Sequence, residues 1–330
     1  MVVSSASEGL YSSYTTDDGS FSLYSLDAKE AFHHSMGAHS ETKMKFIIPA
    51  EFDLYAKEYP HTPLYFLDVC FGLGYGSMLT YAAAQQLGIC LHTHALDISR
   101  LPLRAALSHQ DFRDQCPLFC LELLKSLYRT GAWYHPQLGE GHAYWQDARQ
   151  SVRSLDCSYD VIYLDAFSAK SCPELWTRDF LAELIRRLKV GGRLITYATS
   201  ASLRQSLIAL GCQVYSTQLP DAETVYGNMK NLRSPWSMGT VAFKPQLPSA
   251  DSPASQFFWR SPKQGKRPFC SLSIMEREHL ETKAAVPYRD PSLAASQEMI
   301  LARRQTEQNS SKWTHLMTTS RWRRKWQLSQ

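Results

Sequence analysis

Positions 68 to 76 read D-V-C-F-G-L-G-Y-G, an apolar run that opens into glycines at three alternate positions. Residues 64–71 have the composition of a buried parallel strand and residues 78–87 that of a helix, so the glycines fall at a strand-to-helix turn. Glycines there let backbone and helix N-terminus come up against a bound group, although a plain tight turn uses the same residues. Strand patterns recur at 91–98, 143–145, 160–167, 193–199 and 213–217, with helices over 173–188 and 201–210 and a Gly191-Gly192 turn between. This alternation predicts an α/β fold with a doubly wound, mostly parallel, Rossmann-like sheet.

In such a sheet a ligand lies across the carboxyl ends of the strands, and side chains there meet it. The glycines are Gly72, Gly74 and Gly76, and Ser77 stands where the dinucleotide fingerprint G-x-G-x-x-G needs its last glycine. That spacing favours an S-adenosylmethionine (SAM) site over an NAD site. Asp97 ends the second strand, 21 residues after Gly76, where a carboxylate meets ribose hydroxyls; the alternative is a solvated turn residue. Asp147 follows strand 143–145 and is a candidate for the adenine amino group or an ordinary helix cap. Asp165 stops the apolar run of 160–167 at the same edge and is the candidate catalytic residue, the alternative being a carboxylate bonded to the amides of its own loop. Tyr163 shares its face of the strand and is expected in the core.

Three segments follow: an N-terminal extension over 1–60 with a hairpin around Thr15 to Tyr24 and a turn at Gly37-Ala38, a Rossmann-like domain over 61–245, and a linker and basic extension over 246–330. Residues 113–141 read as a helical insertion with a glycine-rich loop, and Pro245 to Ser255 has linker composition. No apolar run reaches the ~20 residues of a membrane span and no signal architecture opens the chain, so a cytoplasmic protein is expected. The eight cysteines form no C-x-x-C pair, and neither a metal site nor a disulfide framework is expected.

Charge is unevenly distributed. Residues 259–330 hold 14 Lys and Arg against 6 Asp and Glu, a balance of +8, which leaves 21 against 25, or −4, for residues 1–258. The last basic stretch, Arg321-Trp322-Arg323-Arg324-Lys325-Trp326, interleaves cations with aromatics, a composition that neutralises phosphates and stacks on unpaired bases and therefore suits RNA. A solvated tail has the same composition.

Residues 16–41, the glycine turn, and Y-L-D-A-F-S followed by P-E-L-W-T (163–177) together resemble the MnmC-type tRNA methyltransferase family, over most of residues 14–243. The N-terminal motif maps onto Asp18, Gly19, Ser20, Leu23, Glu30, Phe32, His33, Gly37, Ala38 and Glu41, with His34 where serine is usual. In the D-A-F loop Ala169 replaces a proline and Cys172 an asparagine. P-Y-R-D-P at 287–291 is similar to the ending of shorter members.

The resemblance implies SAM-dependent methylation of the aminomethyl group on a modified wobble uridine of tRNA, in a stand-alone form without the FAD oxidase domain, so that a separate enzyme supplies the amine. It also implies that the N-terminal segment packs over the SAM pocket, with Glu41 reaching the cofactor and His33 lining the pocket. Phe167, Ser168 and Lys170, around the catalytic loop, are the candidates for contact with the anticodon region. Two alternatives stay open: another SAM-fold N-methyltransferase or aminopropyltransferase-like enzyme, and a non-catalytic RNA-binding relative.

Overall fold

The computed structural model describes residues 10–217, 237–245 and 268–328. The chain divides into two compact units, Met1–Ser171 and Cys172–Gln330.

In the first unit an N-terminal hairpin pairs β1 (Tyr11–Thr15) with β2 (Phe21–Ser25), and β3 (Glu30–Ala31) adds to β2. The strands β4 (Leu64–Val69), β5 (Leu91–Asp97), β6 (Ala132–His135), β7 (Gly139–Trp145) and β8 (Tyr159–Leu164) follow in the sheet order β8-β4-β5-β7-β6. All pair in parallel except β6, which makes an antiparallel hairpin with β7. β4 and β8 are covered on both faces: Leu64, Phe66, Leu67, Val69, Val161, Ile162 and Leu164 are all buried. That is why they read as continuous apolar runs rather than alternating ones.

The helix after the glycine turn spans Tyr75–Leu87, three residues longer at its start than its composition suggests, with Gly74 as N-cap. The expected glycine-rich loop before residue 141 is instead the β6–β7 hairpin. Its glycines are there for close packing: a Cβ on Gly139 would stand 2.0 Å from the Leu91 carbonyl oxygen, and one on Gly141 would stand 2.2 Å from Thr93 Oγ1.

The second unit contains β9 (Leu188–Thr196), β10 (Gln213–Thr217), β11 (Thr240–Phe243) and β12 (Phe269–Ser271), which pair in the order β9-β11-β10-β12, antiparallel throughout. The helix expected over 173–188 is a 3₁₀ turn, Pro173–Trp176, and a helix, Arg178–Arg187. They are separated by Thr177, whose side chain accepts the Phe180 amide as an N-cap. The Gly191-Gly192 pair lies inside β9, bonded to Lys244 beyond the end of β11, and makes no chain reversal.

The C-terminal helices span Ile274–Leu280, Gln297–Gln308 and Thr319–Lys325. The first is pinned by a buried ion pair, Glu276 with Arg204, at 2.7 Å. Of the segment read as a linker, only Pro245 is among the described residues. Among the described residues no helix is long and apolar enough to cross a membrane.

Candidate functional site

The parallel register brings three strand ends level. Val69 lies opposite Leu96 on one side and Leu164 on the other, and Asp97 lies opposite Trp145. The residues that leave these ends therefore share one crevice. The Asp165 amide donates to the Val69 carbonyl at 3.0 Å, so the D-A-F loop departs directly beside the glycine turn.

The turn is held from below and from the side. Cys70 and Phe71 amides donate to the Leu96 carbonyl at 2.9 and 3.1 Å, and the Gly72 amide donates to Asp97 Oδ2 at 2.8 Å. The backbone passes through positive φ at Cys70 (68°), Gly72 (56°) and Gly74 (92°). Gly72 and Gly74 adopt this at no steric cost, while Cys70 is held there against its Cβ. Asp97 Oδ1 also takes the Ser99 amide at 2.9 Å. The Ile98 amide bonds it as well, and since a carboxylate has about four lone-pair directions, about one remains for a ligand. Next in sequence, Ile98 is 77% exposed, an apolar face beside the carboxylate.

Gly76 has a different job from its two neighbours: a Cβ there would lie 3.1 Å from the Asp68 carboxylate and 3.5 Å from the Tyr163 ring. Its bareness lets the helix settle onto Asp68, which is only 3% exposed and accepts from Ser77 Oγ at 2.7 Å. Ser77 in the position of the missing fingerprint glycine thus serves a buried acid.

Four acids converge on the crevice. Burial, with the nearby Asp97 charge adding and the Ser77 bonds opposing, pushes Asp68 up to about 7. Burial, then the charges of Glu41 and Asp68, push Asp165 up to about 8, with Lys45 opposing. Burial also raises Asp97, against the amides that bond it. Glu41 goes the other way: burial would raise it, but the Lys45 ammonium at 2.5 Å and the His34 amide at 2.7 Å hold it below the usual carboxylate range. Lys45 is presented by a π-helical turn, Lys43–Ile47, an irregularity common at functional sites. An ordinary aspartate is a poor proton acceptor at neutral pH; burial first, and then the like charges of Glu41 and Asp68, make Asp165 a better one.

The family described as S-adenosyl-L-methionine-dependent methyltransferase matches residues 142–220. An uncharacterized protein of Methanocaldococcus jannaschii is 29% identical over 202 residues, 59% of this chain and 52% of that protein. The tRNA 5-methylaminomethyl-2-thiouridine biosynthesis bifunctional protein MnmC of Aromatoleum aromaticum is 42% identical over 65 residues, 20% of this chain and 10% of that protein. The chain therefore spans about half the length of the first of these relatives and a tenth of the second. The crystal structure of MnmC2 from Aquifex aeolicus superposes with a TM-score of 0.69 at 25% identity, over 90% of this chain and 85% of that one. The chain is a homologue of the MnmC-type, SAM-dependent methyltransferases.

Within this MnmC-type frame the N-terminal motif divides into two kinds of residue. Asp18 is structural: it accepts from Ser20 N and Oγ (3.0 and 2.5 Å), Thr16 Oγ1 (2.8 Å) and Ser40 N (2.9 Å). Despite the opposing effect of burial, these donors hold it down to about 2. Gly37 is bare because a Cβ would stand 2.0 Å from that carboxylate. Glu30 reaches across 138 residues to the D-A-F loop, taking the Ser168 amide at 2.9 Å, the Ser168 hydroxyl, and Ser171 Oγ at 2.7 Å. With the loop held by three donors its shape does not depend on a proline at 169. Ser168, expected to meet substrate, is engaged in this strap. Phe32 of the motif lies 3.4 Å from the position a Gly72 Cβ would take and packs edge-on to Phe167, ring centres 4.9 Å apart. The hairpin thus covers the glycine turn.

His33 bonds Ser22 Oγ through Nδ1 at 3.0 Å and packs on Tyr75, and burial drives it down to about 4, neutral at pH 7. Lys170 is exposed at the outer end of the loop, while Phe167 is half-buried. Tyr163 is buried against Phe46 and Phe66. Asp147 caps the helix Ala148–Ser154 through the Arg149 amide at 2.8 Å, and Arg149's guanidinium also binds it at 2.7 Å. Asp68, Lys45 and Ile98 are brought to the crevice by the fold without a sequence motif that marks them. Only Asp68 carries a local signal, as a lone acid inside an apolar strand.

Proposed function

We propose that the protein transfers a methyl group from SAM to the primary amine of the 5-aminomethyl side chain on a wobble 2-thiouridine of tRNA, giving 5-methylaminomethyl-2-thiouridine. The reading is supported by one observation: in a chain of MnmC type, Asp165 leaves its strand beside the glycine turn with its pKa raised by burial and by the charges of Glu41 and Asp68, which suits a group that takes a proton from an amine. The residues around the glycine turn suit a sulfonium nucleoside. Asp97 has acceptor capacity left for a ribose hydroxyl, Ile98 offers an apolar face to adenine, and Asp68, Glu41 and Asp165 suit a cation. Gly72 and Gly74 form the turn beneath it, Gly76 supports it from behind, and Asp147 reaches the adenine edge only if Arg149 yields. SAM, when bound, supplies the electrophilic methyl group.

The protein's own task is to deliver an uncharged amine. An alkyl ammonium has a pKa of ~10.4, and freeing its lone pair at pH 7 costs roughly 4 to 5 kcal/mol. Asp165 as carboxylate takes that proton and aims the lone pair; His33, neutral and lodged beside Tyr75, lines the pocket without adding charge. Phe167 and Phe32 exclude water, and Lys170 meets the anticodon backbone. The reaction is set in the cytoplasm, where tRNA is modified, and its amine comes from a separate modification enzyme acting on the same tRNA. Nucleoside mass analysis of tRNA from a strain lacking this gene, incubated with purified protein and SAM, tests the proposal: the wobble amine gains 14 mass units on methylation. An unchanged nucleoside refutes it.

A further inference from the structure

The last basic stretch is a folded element. Trp322 is 1% exposed, its indole N–H donates to the Met275 carbonyl at 3.2 Å, and its ring stacks on His279 with centres 4.0 Å apart. Trp326 Nε1 donates to Glu278 at 2.9 Å, and Lys325 pairs with the same carboxylate at 2.7 Å. Upstream, Met317 bridges to Thr282, and the Lys283 amide donates to the Met317 carbonyl at 2.9 Å. In a helix each residue turns about 100°, so Trp322 and Trp326 share the inner side and Arg324 points directly away from it, with Arg321 and Arg323 flanking. All three arginines are exposed, and among the described residues none makes an ion pair. Residues 309–328 contain five Lys or Arg (312, 321, 323, 324, 325) and no Asp or Glu.

We infer that Arg321, Arg323 and Arg324 form an anchored, pre-ordered clamp for the phosphate backbone of RNA. The inference rests on the tRNA reading above. Guanidinium forks match phosphate oxygens, and a helix fixed by a buried tryptophan presents them without first having to order a tail. Because both tryptophans are committed to the protein, the contact is electrostatic and reads no base. The test uses the full-length protein and unfractionated tRNA, with binding measured from 50 to 200 mM salt. Each phosphate contact contributes a slope of about 0.9 in log K against log salt on a duplex, so R321Q/R323Q/R324Q should lower the slope by roughly 2 to 3. Over that fourfold range the wild type should then lose about 40-fold more affinity than the variant. The matching triple lysine variant should keep most of the slope. Unaltered SAM binding and melting temperature show that the glutamine variant is folded. A slope unchanged to within one unit overturns the clamp. Methyl transfer on the same samples separates the two claims: a lost slope with an inactive wild type retires the reaction and keeps the clamp, while an active wild type with an unchanged slope does the reverse.

Discussion

Asp165→Asn is the sharpest single perturbation of the proposed chemistry, because it keeps the side-chain volume and removes only the ability to take a proton. In water an aspartate near 3.9 facing an alkyl ammonium near 10.4 is mismatched by about 6.5 units, or about 9 kcal/mol. With Asp165 raised to about 8 the mismatch falls to about 2.4 units, or about 3 kcal/mol. The crevice thus supplies on the order of 6 kcal/mol toward an uncharged nucleophile, more than the 10² to 10⁴-fold usually ascribed to general-base catalysis requires. The sign follows directly. Protonated Asp165 cannot take the amine's proton, so kcat/KM should climb with pH and level off above about 8 in the free enzyme. The midpoint should move lower when the cationic cofactor is bound, since an opposite charge favours the carboxylate. The assay is isotopic methyl incorporation into tRNA between pH 6 and 9.5, with SAM affinity measured separately by calorimetry. Asp165→Asn should lose about 10² to 10⁴ in kcat/KM and the pH limb with it, at an unchanged SAM dissociation constant. A variant that keeps the same limb, or loses less than tenfold, removes Asp165 from proton transfer.

Other substitutions probe the surroundings. Asp97→Ala should weaken SAM binding by about 1.5 to 3 kcal/mol for each ribose hydroxyl bond lost, read by calorimetry; an unaltered affinity dismisses the ribose role. Asp68 carries a proton in the folded state up to about pH 7 and in the unfolded chain only to about 3.9, so its contribution to stability declines as pH rises through that window, by up to about 4 kcal/mol. Asp68→Asn, which still accepts from Ser77, should flatten the melting temperature between pH 4 and 7; a parallel curve contradicts the raised pKa. Glu30→Ala should free the D-A-F loop and depress turnover tenfold or more with SAM affinity intact, visible also as faster amide exchange at Ser168. Trp322→Ala should cost ~3 to 5 kcal/mol in urea unfolding, and a loss under 1 kcal/mol would mean the ring is not a plug.

Much of the site's first unit can be read in the sequence because single strands carry their own pattern. The buried runs of β4 and β8, the strand β5, and the acids Asp97 and Asp165 at their ends are local signals, and a parallel sheet brings such ends level by construction. What stays hidden depends on partners far along the chain. Glu30 looks like a surface acid until Ser168 arrives 138 residues later. Lys45 sits in an irregular turn with no periodicity, and Asp147 reads equally well as cap or ligand because the strand end and the helix start coincide. The Arg-Trp stretch shows the limit most plainly, since composition cannot tell a tryptophan that stacks on bases from one that fills a hole. Glycine counts mislead similarly: Gly139 and Gly141 are the bare patches on which neighbouring strands rest, not a flexible loop.

The bond between Asp97 and the Gly72 amide has a kinetic consequence. If Asp97 takes the nucleoside as proposed, one carboxylate both shapes the cradle and receives the ligand, and the loop already has its receiving form before any encounter. The entropy of closing it is settled while the chain folds, and association should be quick and reversible, with little of the slow rearrangement that flexible lids impose on their guests.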